Sequence, residues 1–276
     1  MVTMFSNDKL DLSNIEALKK KKKTFFLPHT RFNFINDHYG LRPGKMHCLL
    51  AAAGKGKSTL ARSVLLDIAA KEKVILYATE ESKQDLEEQF AVNDVTQNEV
   101  DNIYLIHETK DVPDTIKGTE GWLAYMRLKI KNSGAKCIVL DNITSSKFYK
   151  EYTEQTELVL GFKALLEENG VAALIVCHTR KGVKNNEWFK EDDVKGSTQL
   201  SITSEFFYGY NMFIVSGSGE SDAKHAFVRI LKSRGYPNIA FSYDLQFDFK
   251  NYTYRGDKRV KTSDLAKVAK SASNVL

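Results

Sequence analysis

The sequence contains no apolar stretch long enough to cross a membrane and no region typical of an export signal. In this chain of 276 residues, no apolar run reaches the roughly 18 residues that a membrane-spanning helix requires. The polar start MVTMFSNDKLDLSN has no hydrophobic segment of the kind that directs secretion. We therefore expect a cytoplasmic protein that does not interact with membranes.

Cysteine is scarce, and the net charge is small. The three cysteines, Cys48, Cys137 and Cys177, lie in apolar runs, are odd in number and have no metal-ligand spacing. They are typical of buried side chains in a reducing compartment, not of disulfides or a zinc site. The net charge of +5 does not by itself indicate an anionic partner. A nucleic-acid site must therefore be argued from local clusters.

Hydrophobic residues make up 42% of the chain, enough for a substantial core in one α/β domain. Continuous apolar runs, typical of buried strands, occur at 46–52, 73–79, 102–108, 136–141 and 172–178. Helical patterns lie between them at 58–70, 82–92, 120–133 and 153–168. This order predicts a mostly parallel central sheet with helices on both faces. Strand-like segments after residue 205 predict an antiparallel C-terminal extension of the sheet.

The two ends of the chain predict appendages to a domain at 28–256. Residues 1–27 contain a helical pattern, capped by Ser13 and Glu16, that ends in Lys19–Lys23. This lysine run fits a solvated linker, a nucleic-acid contact or a helix that docks on a neighbouring subunit. Residues 257–276 are polar and mixed in charge, so we expect a flexible tail or a weak terminal helix.

The segment CLLAAAGKGKSTL predicts a phosphate-binding loop between a strand and a helix. Gly54 and Gly56 let the backbone curl so that its N–H groups point inward, and the positive end of the following helix faces the same cavity. Lys57 would reach the β- and γ-phosphates, and Ser58 would offer its hydroxyl to Mg²⁺. The predicted nucleotide-binding residues are Ala53, Gly54, Lys55, Gly56, Lys57, Ser58 and Thr59. Ala51 replaces the first glycine of the usual pattern, which is acceptable if its φ is negative.

Further polar residues follow predicted strands at the edge where open α/β sheets bind ligands. Asp141 ends CIVLD, the pattern of a metal-supporting carboxylate, although a turn-capping Asp gives the same pattern. Glu80 is the candidate for positioning the attacking water, whereas Glu81 is interpreted as a solvated acid in a first helical turn. His178 follows another strand and is either a phosphate sensor or a structural histidine.

Two cations end the alternating segment AFVRILKSRG. Because positions i and i+2 of a strand share a face, Lys232 and Arg234 are expected to project on the same side. They are either ordinary surface charge or a pair that reaches into a neighbouring subunit's site. An arginine that acts in this way is worth about 10³ to 10⁵ in rate.

Six segments occur in the order and approximate spacing of one known domain. They are FNFINDHYGLRPGKMHCLLAAAGKGKSTLA, YATEES, IVLDNITS, IVCHTRKG, DVKGSTQLSITSE and VRILKSRG. From residue 30 to about 245, the chain resembles the RecA-like helicase domain of DnaB-type replicative helicases. It is most similar to the helicase half of phage and mitochondrial primase-helicases. Alanine is common in that family at the position of Ala51.

The resemblance implies a catalytic machinery and an assembly. ATP and Mg²⁺ would be held by Lys57, by Ser58 or Thr59 and by Asp141, Glu80 would be catalytic, His178 would sense phosphate, and Lys232 and Arg234 would act in trans. The family further implies a homo-oligomeric ring, usually a hexamer, with ATP sites between subunits. Single-stranded DNA would pass through its central channel.

In that family, DNA is bound by loops that follow the Asp141 strand and the next strand. Here these loops are NITSSKFYKEYTEQ and TRKGVKNNEWFKEDDVKGS. Their cations can grip phosphates and their aromatics can stack on bases, unless the aromatics pack on the domain instead. The cations are Lys147, Lys150, Arg180, Lys181, Lys184 and Lys195, and the aromatics are Phe148, Tyr149, Tyr152, Trp188 and Phe189.

The chain departs from the phage pattern at two arginine positions. Ser201 stands where the family has a DNA- or phosphate-contacting arginine, and Met212 where it has the arginine beside the adenine. Adenine stacking is therefore assigned to Phe241 or Tyr243. No zinc motif of a primase is present, so we expect a primase, a polymerase or a single-strand-binding protein to be separate partners.

The sequence is thus interpreted as an α/β protein of the RecA-like P-loop NTPase class, an ATP hydrolase that drives a ring-forming replicative DNA helicase or translocase. Phage or mobile-element replication is the expected setting. Two alternatives stay open. One is a RecA-type recombination or repair ATPase, and the other is a RecA-like regulatory ATPase that needs no DNA.

Overall fold

A computed structural model describes residues 27, 29–38, 40–183, 188–215, 223–234 and 241–261. The side chains at 213–215, 223, 224 and 241 are not described. The predicted N-terminal helix with Lys19–Lys23 lies outside the described residues, and so does Lys184.

The described residues form one nine-stranded sheet in the order β3-β2-β4-β5-β1-β6-β7-β8-β9. The strands are β1 Met46–Ala51, β2 Val74–Ala78, β3 Ile103–His107, β4 Cys137–Asp141, β5 Ala172–His178, β6 Phe206–Val215, β7 Ala223–Ser233, β8 Phe241–Asp248 and β9 Thr253–Lys261. Strands β1 to β6 pair with one another in parallel, and β7, β8 and β9 each pair antiparallel with the preceding strand. The predicted mixed sheet is confirmed, and its antiparallel part begins at β7.

Helices cover the sheet. In the described part of the chain they are α1 Asn33–Asn36, α2 Lys57–Ala69, α3 Lys83–Val92, α4 Gln97–Asn102, α5 Glu108–Asp111, α6 Gly118–Ser133, α7 Tyr152–Asn169 and α8 Gln199–Thr203. Two 3₁₀ turns lie at Ile143–Ser145 and Glu191–Asp193. The four predicted helices are confirmed to within two residues, whereas the short α1, α4, α5 and α8 were not predicted. No described helix has the length and apolarity needed to cross a membrane.

Side chains alternate between two cores, one on each face of the sheet. Leu49 faces the core that contains Val64 of α2, whereas its neighbour Leu50 faces the core that contains Trp122 of α6 and Phe162 of α7. Strands β1, β2 and β4 are buried at every position. Burial on both faces explains why these strands appear in the sequence as continuous apolar runs.

The C-terminal boundary expected after residue 256 was wrong, because β9 continues to Lys261. β9 is the last strand of the sheet, and its sequence TYRGDKRVK is exposed at several positions, so it carries no apolar run that would predict a strand. Asp257 ties β9 to the start of the domain, since its carboxylate accepts the N–H groups of Asn33 at 2.8 Å and Phe34 at 2.9 Å.

We expect Asp257→Ala to lower the free energy of unfolding by about 1–2 kcal/mol, because two N–H groups at the start of α1 lose their acceptor. Asp257→Asn retains a carbonyl acceptor and should cost less. Urea denaturation of the two variants and the unaltered protein measures both differences. Equal stability of the alanine variant would mean that residue 257 belongs to a dispensable tail after all.

Candidate nucleotide-binding and hydrolysis site

The phosphate-binding loop has the predicted backbone. Gly54 and Gly56 have φ values of 69° and 87°, and helix α2 begins directly afterwards at Lys57. Among the described residues other than glycine, only Asp94 and Tyr252 have positive φ, so Ala51 at the end of β1 needs no glycine. Lys57 is only 5% exposed, and its charge acts on both Asp141 and His178.

Two tyrosines support the loop from beneath, and the sequence did not predict them. A Cβ on Gly56 would lie 3.3 Å from the hydroxyl of Tyr210 and 3.5 Å from that of Tyr254. The two hydroxyls are hydrogen-bonded to each other at 2.7 Å. Gly56 is therefore required both for its φ and for the close approach of β6 and β9.

Asp141 lies at the end of β4 and accepts a hydrogen bond from the Ser58 hydroxyl. Burial raises the pKa of Asp141 to about 6, against the opposing effects of Arg62 and Lys57. A carboxylate and a hydroxyl side by side are hard oxygen ligands, and Mg²⁺ is usually bound by one or two such groups together with phosphate oxygens. The pair Ser58 and Asp141 therefore fits a magnesium ion that arrives with a nucleotide.

Glu80 belongs to a hydrogen-bonded group at the ends of β2, β4 and β5. Its Oε1 accepts the Ser145 hydroxyl at 2.6 Å and lies 3.4 Å from His178 Nε2, which in turn lies 3.0 Å from Asn142 Nδ2. Burial alone would raise the pKa of Glu80, but the hydrogen bonds from Ser145, Asn142 and His178 lower it below its usual value. An ionised Glu80 can accept a proton from a bound water.

The charge state of His178 follows from its surroundings. Burial lowers the pKa of His178, and the nearby Lys57 ammonium lowers it further. The imidazole is therefore neutral at pH 7 and lies beside Glu80 without pairing with it as a cation; its Nε2 donates to Glu80 when it carries the proton. The structure thus brings Glu80, Asp141, His178 and the phosphate-binding loop to one edge, as the sequence predicts.

Glu81 is not the solvated acid that the sequence indicated. It is half-buried and forms an ion pair with Arg62, which projects from α2 and is 8% exposed. Its other oxygen accepts Gln89 Nε2 at 3.1 Å. A capping box of Ser82 and Asp85 starts α3 directly after Glu81. Arg62 is 19 residues away in sequence, so no local pattern indicated this pairing.

A cavity of about 650 Å³ begins beside the phosphate-binding loop. It is lined by Thr59 and Arg62 of α2, by Glu81, by Asp85, Glu88, Gln89, Val92 and Asn93 of the α3 region, by Phe247 of β8 and by Tyr252 of the β8–β9 turn. Its volume is within the range of small-molecule sites. The cavity adjoins the phosphate cradle at Thr59, so it is the natural place for the nucleoside end of a nucleotide.

The expected stacking of adenine on Tyr243 was wrong. Tyr243 is 2% exposed, packs against Phe34 and donates its hydroxyl to Asp37 Oδ2 at 2.9 Å. A ring enclosed in this way offers no face to a ligand. The side chain of Phe241 lies outside the described residues, and the aromatics that line the cavity are Phe247 and Tyr252.

Lys232, near the end of β7, and Arg234, just after it, lie on one side as predicted, but far from the phosphate-binding loop of their own chain. Both donate to the backbone carbonyl of Ile202 in α8. Between them, Ser233 pairs with Phe206, which pairs with His47 near the start of β1. The loop follows the other end of β1, roughly 13 Å further along the strand. These cations cannot complete their own site.

The two predicted DNA loops keep exposed cations but bury most of their aromatics. Phe148, Tyr149 and Phe189 are 6%, 4% and 3% exposed, so the expectation that they stack on bases was wrong. The Tyr149 hydroxyl accepts the Ser197 N–H at 3.1 Å and ties the two loops together. Tyr152 is exposed, and Trp188 is half-buried against Phe227.

The cations of these loops differ in their surroundings. Lys150, Lys181 and Lys195 are exposed, as is Arg180, which forms an ion pair with Asp193 at 3.2 Å. Lys147 is half-buried, with its ammonium 5.3 Å from the centre of the Phe148 ring. At the two departures, Ser201 is buried and donates to Glu191 at 3.1 Å, and Met212 is half-buried in the core.

This fold and this set of residues define a RecA-like P-loop ATPase. The sequence profile of the KaiC ATPase family matches residues 30–231, and the chain belongs to that family. A KaiC-like protein of the archaeon Pyrococcus horikoshii has a similar crystal structure, with a TM-score of 0.59, 17% sequence identity, and coverage of 84% of this chain and 97% of that chain. At this identity the likeness shows the fold alone. No curated protein sequence matches the chain.

We expect Asp141→Asn to stabilise the nucleotide-free protein while weakening Mg²⁺-dependent nucleotide binding. The pKa of Asp141 is about 6 in the folded protein, against an ordinary 3.8, so the folded state binds this proton more tightly. The penalty of the buried charge is therefore fully present above pH 6 and disappears as the pH falls towards 4. The neutral amide removes a penalty of about 2–3 kcal/mol at pH 7.5.

Thermal unfolding of both proteins without nucleotide, at pH 7.5 and at pH 4.5, measures this effect. The stability difference should be large at the higher pH and small at the lower pH. A variant that is less stable than the unaltered protein at pH 7.5 would contradict the assignment of a buried, costly carboxylate at the metal position.

Proposed function

We propose that the protein is an ATP-driven translocase of the replicative-helicase type, which works on single-stranded DNA as a ring of subunits. The observation that carries the proposal is the separation of Lys232 and Arg234 from their own phosphate-binding loop. A site that lacks its last cations within one chain is completed by a second copy. Hydrolysis between subunits is the arrangement that couples ATP turnover to movement.

The hydrolytic residues act in one cluster. Lys57 and the N–H groups of the loop bind and neutralise the phosphates, while Glu80 accepts a proton from the attacking water. Ser145 and His178 orient the Glu80 carboxylate. Mg²⁺, held by Ser58 and Asp141, would neutralise charge that develops on the phosphate oxygens. Each of these groups comes from the carboxyl end of β1, β2, β4 or β5.

The position of the two cations supports a head-to-tail assembly. In a head-to-tail ring, each subunit presents a different surface to each of its two neighbours. One surface carries the nucleotide site, and the other would carry Lys232 and Arg234. Because both side chains meet at the Ile202 carbonyl, both would reach the same phosphate group of the next subunit. Six subunits are proposed from the helicase resemblance.

Contact with DNA is proposed for the exposed cations that follow β4 and β5. Lys150, Arg180, Lys181 and Lys195 project from loops at the same edge of the sheet as the nucleotide. Such cations bind phosphates irrespective of sequence, with affinity that falls as salt rises. Tyr152 is the exposed aromatic of this surface and would contribute stacking.

A mixing experiment tests the shared site. Lys57→Ala should bind no ATP but supply intact Lys232 and Arg234, whereas Lys232→Ala/Arg234→Ala should bind ATP without supplying the cations. Each variant alone should have lost nearly all turnover, and their equal mixture should regain activity at about one interface in four. Arg127→Ala, which removes a surface cation of α6, is the control and should keep full turnover. An inactive mixture of well-folded, oligomeric variants would contradict sharing of the site between subunits.

The DNA contact has a separate test. We expect ATP turnover to rise with single-stranded DNA, and Lys181→Ala/Lys195→Ala to weaken DNA binding at all sequences. The slope of log affinity against log salt should fall by about one to two. Lys117→Ala/Lys131→Ala removes the same charge elsewhere and is the matched control. Normal DNA binding by the loop variant would contradict this contact surface.

One observation favours a second candidate, a RecA-like ATPase that needs no DNA. The burial of Phe148, Tyr149 and Phe189 removes most of the base-stacking side chains that the loops were expected to supply. Turnover independent of DNA, with no DNA binding, would favour that reading. Strand exchange without unwinding of a forked duplex would instead favour a recombinase.

A further inference from the structure

The cavity beside the phosphate-binding loop contains a glutamine whose amide orientation is fixed. Gln89 lines the cavity from α3, and its Nε2 donates to Glu81 Oε1 at 3.1 Å. Glu81 is itself held by Arg62 through its other carboxylate oxygen. Since a carboxylate can only accept, the amide nitrogen must face Glu81 and the carbonyl oxygen must face away from it.

The carbonyl end of this amide has no partner. Gln89 Oε1 is buried and makes no hydrogen bond with any described residue. A buried acceptor left without a donor costs about 1–3 kcal/mol, so a ligand that brings a donor recovers that cost. Gln89 therefore presents an unpaired acceptor, while its amide nitrogen stays turned towards Glu81.

The charged residues that line the cavity indicate which part of a ligand binds there. Glu81, Asp85 and Glu88 line it, and the cation among its lining residues, Arg62, is already paired with Glu81. Such a wall repels phosphate and favours a neutral group that donates hydrogen bonds. Phe247 and Val92 add apolar surface. A flat, neutral ring with an amino group fits these walls, and the phosphates fit the adjoining loop.

We propose that Gln89 determines the base specificity of the nucleotide site, by accepting a hydrogen bond from the exocyclic amine of adenine. Guanine presents a keto oxygen at the equivalent position, and two acceptors that face each other repel. The inference deepens the proposed function, since it rests on nucleotide binding at this site, but it does not depend on DNA or on a ring. Arg62 and Glu81 act as positioning residues for the Gln89 amide.

The contacts among Arg62, Glu81 and Gln89 also connect two parts of the site. Arg62 belongs to α2, which begins at the phosphate-binding loop, and Glu81 directly follows Glu80. A base that bonds to Gln89 is therefore linked to Glu81, the neighbour of Glu80 along the chain. Through the ion pair of Glu81 with Arg62, it is also linked to the helix that begins at the phosphate-binding loop. The wrong base leaves the buried carbonyl of Gln89 unpaired.

The test measures binding, so that it is independent of turnover. The Mg²⁺ complexes of the β,γ-imido analogues of ATP and GTP are titrated calorimetrically into the unaltered protein and into Gln89→Leu. We expect the unaltered protein to prefer the ATP analogue, and Gln89→Leu to bind it about 5- to 30-fold more weakly. Affinity for the GTP analogue should stay the same or rise, because the opposing acceptor is gone. Inorganic triphosphate should bind both proteins equally.

Gln84→Leu is the matched control, because Gln84 lies on the same helix but outside the cavity and bonds to Glu88 instead. It should leave the ratio of ATP to GTP affinity unchanged. Arg62→Met should reduce this ratio even though Gln89 is present, and Arg62→Lys should restore part of it. A structural role alone would weaken both analogues together.

The proposal is overturned if Gln89→Leu, with an unchanged unfolding temperature, keeps the ratio of the unaltered protein. It is also overturned if the unaltered protein binds both analogues equally. Loss of DNA stimulation or of subunit mixing leaves this ratio unaffected and concerns the translocase proposal alone. Conversely, DNA-stimulated turnover with no base preference would refute only the role of Gln89.

Discussion

The pairing of β1 between β5 and β6 is the constraint on which the site depends. Its register sets Ala51 opposite His178, while β2 sets Ala78 opposite Asp141. Both pairings are fixed by strands that are buried on two faces, where a slip of one residue would exchange the two cores. The phosphate-binding loop, Glu80 and Asp141 therefore meet because of packing that lies beneath them.

The sequence predicted those parts of the site that depend on neighbours along the chain. Continuous apolar runs indicated β1 and β4, and the glycines of the loop carried their own conformational requirement. Contacts between distant segments were not predictable. The tyrosine pair under Gly56 joins β6 to β9, and Arg62 of α2 forms an ion pair with Glu81, which follows β2. Neither contact produces a periodic pattern in the sequence. The polar edge strand β9 has no apolar run, so its sequence resembles a tail.

Two adjacent glutamates acquire different roles from their surroundings. Glu80 is half-exposed and receives hydrogen bonds that keep it ionised, so it can accept a proton. Glu81 is neutralised by a buried arginine and lines the cavity beside the phosphate-binding loop. Separating two carboxylates in this way is how proteins assign different chemistry to identical groups. The Asp141 carboxylate is costly to bury in its ionised form, and a bound cation would offset that cost.

The position of Lys232 and Arg234 links the proposed assembly to the proposed DNA surface. In the single chain both cations bind carbonyls of α8, and α8 directly follows the loop that carries Arg180, Lys181 and Lys195. Each carbonyl competes with any phosphate for these cations, because the same side-chain donors serve both. In the proposed ring, a neighbour's ATP would therefore draw the cations from α8, and hydrolysis would return them. The loop after β5 would be held differently in the two states, and this is what a translocating loop requires.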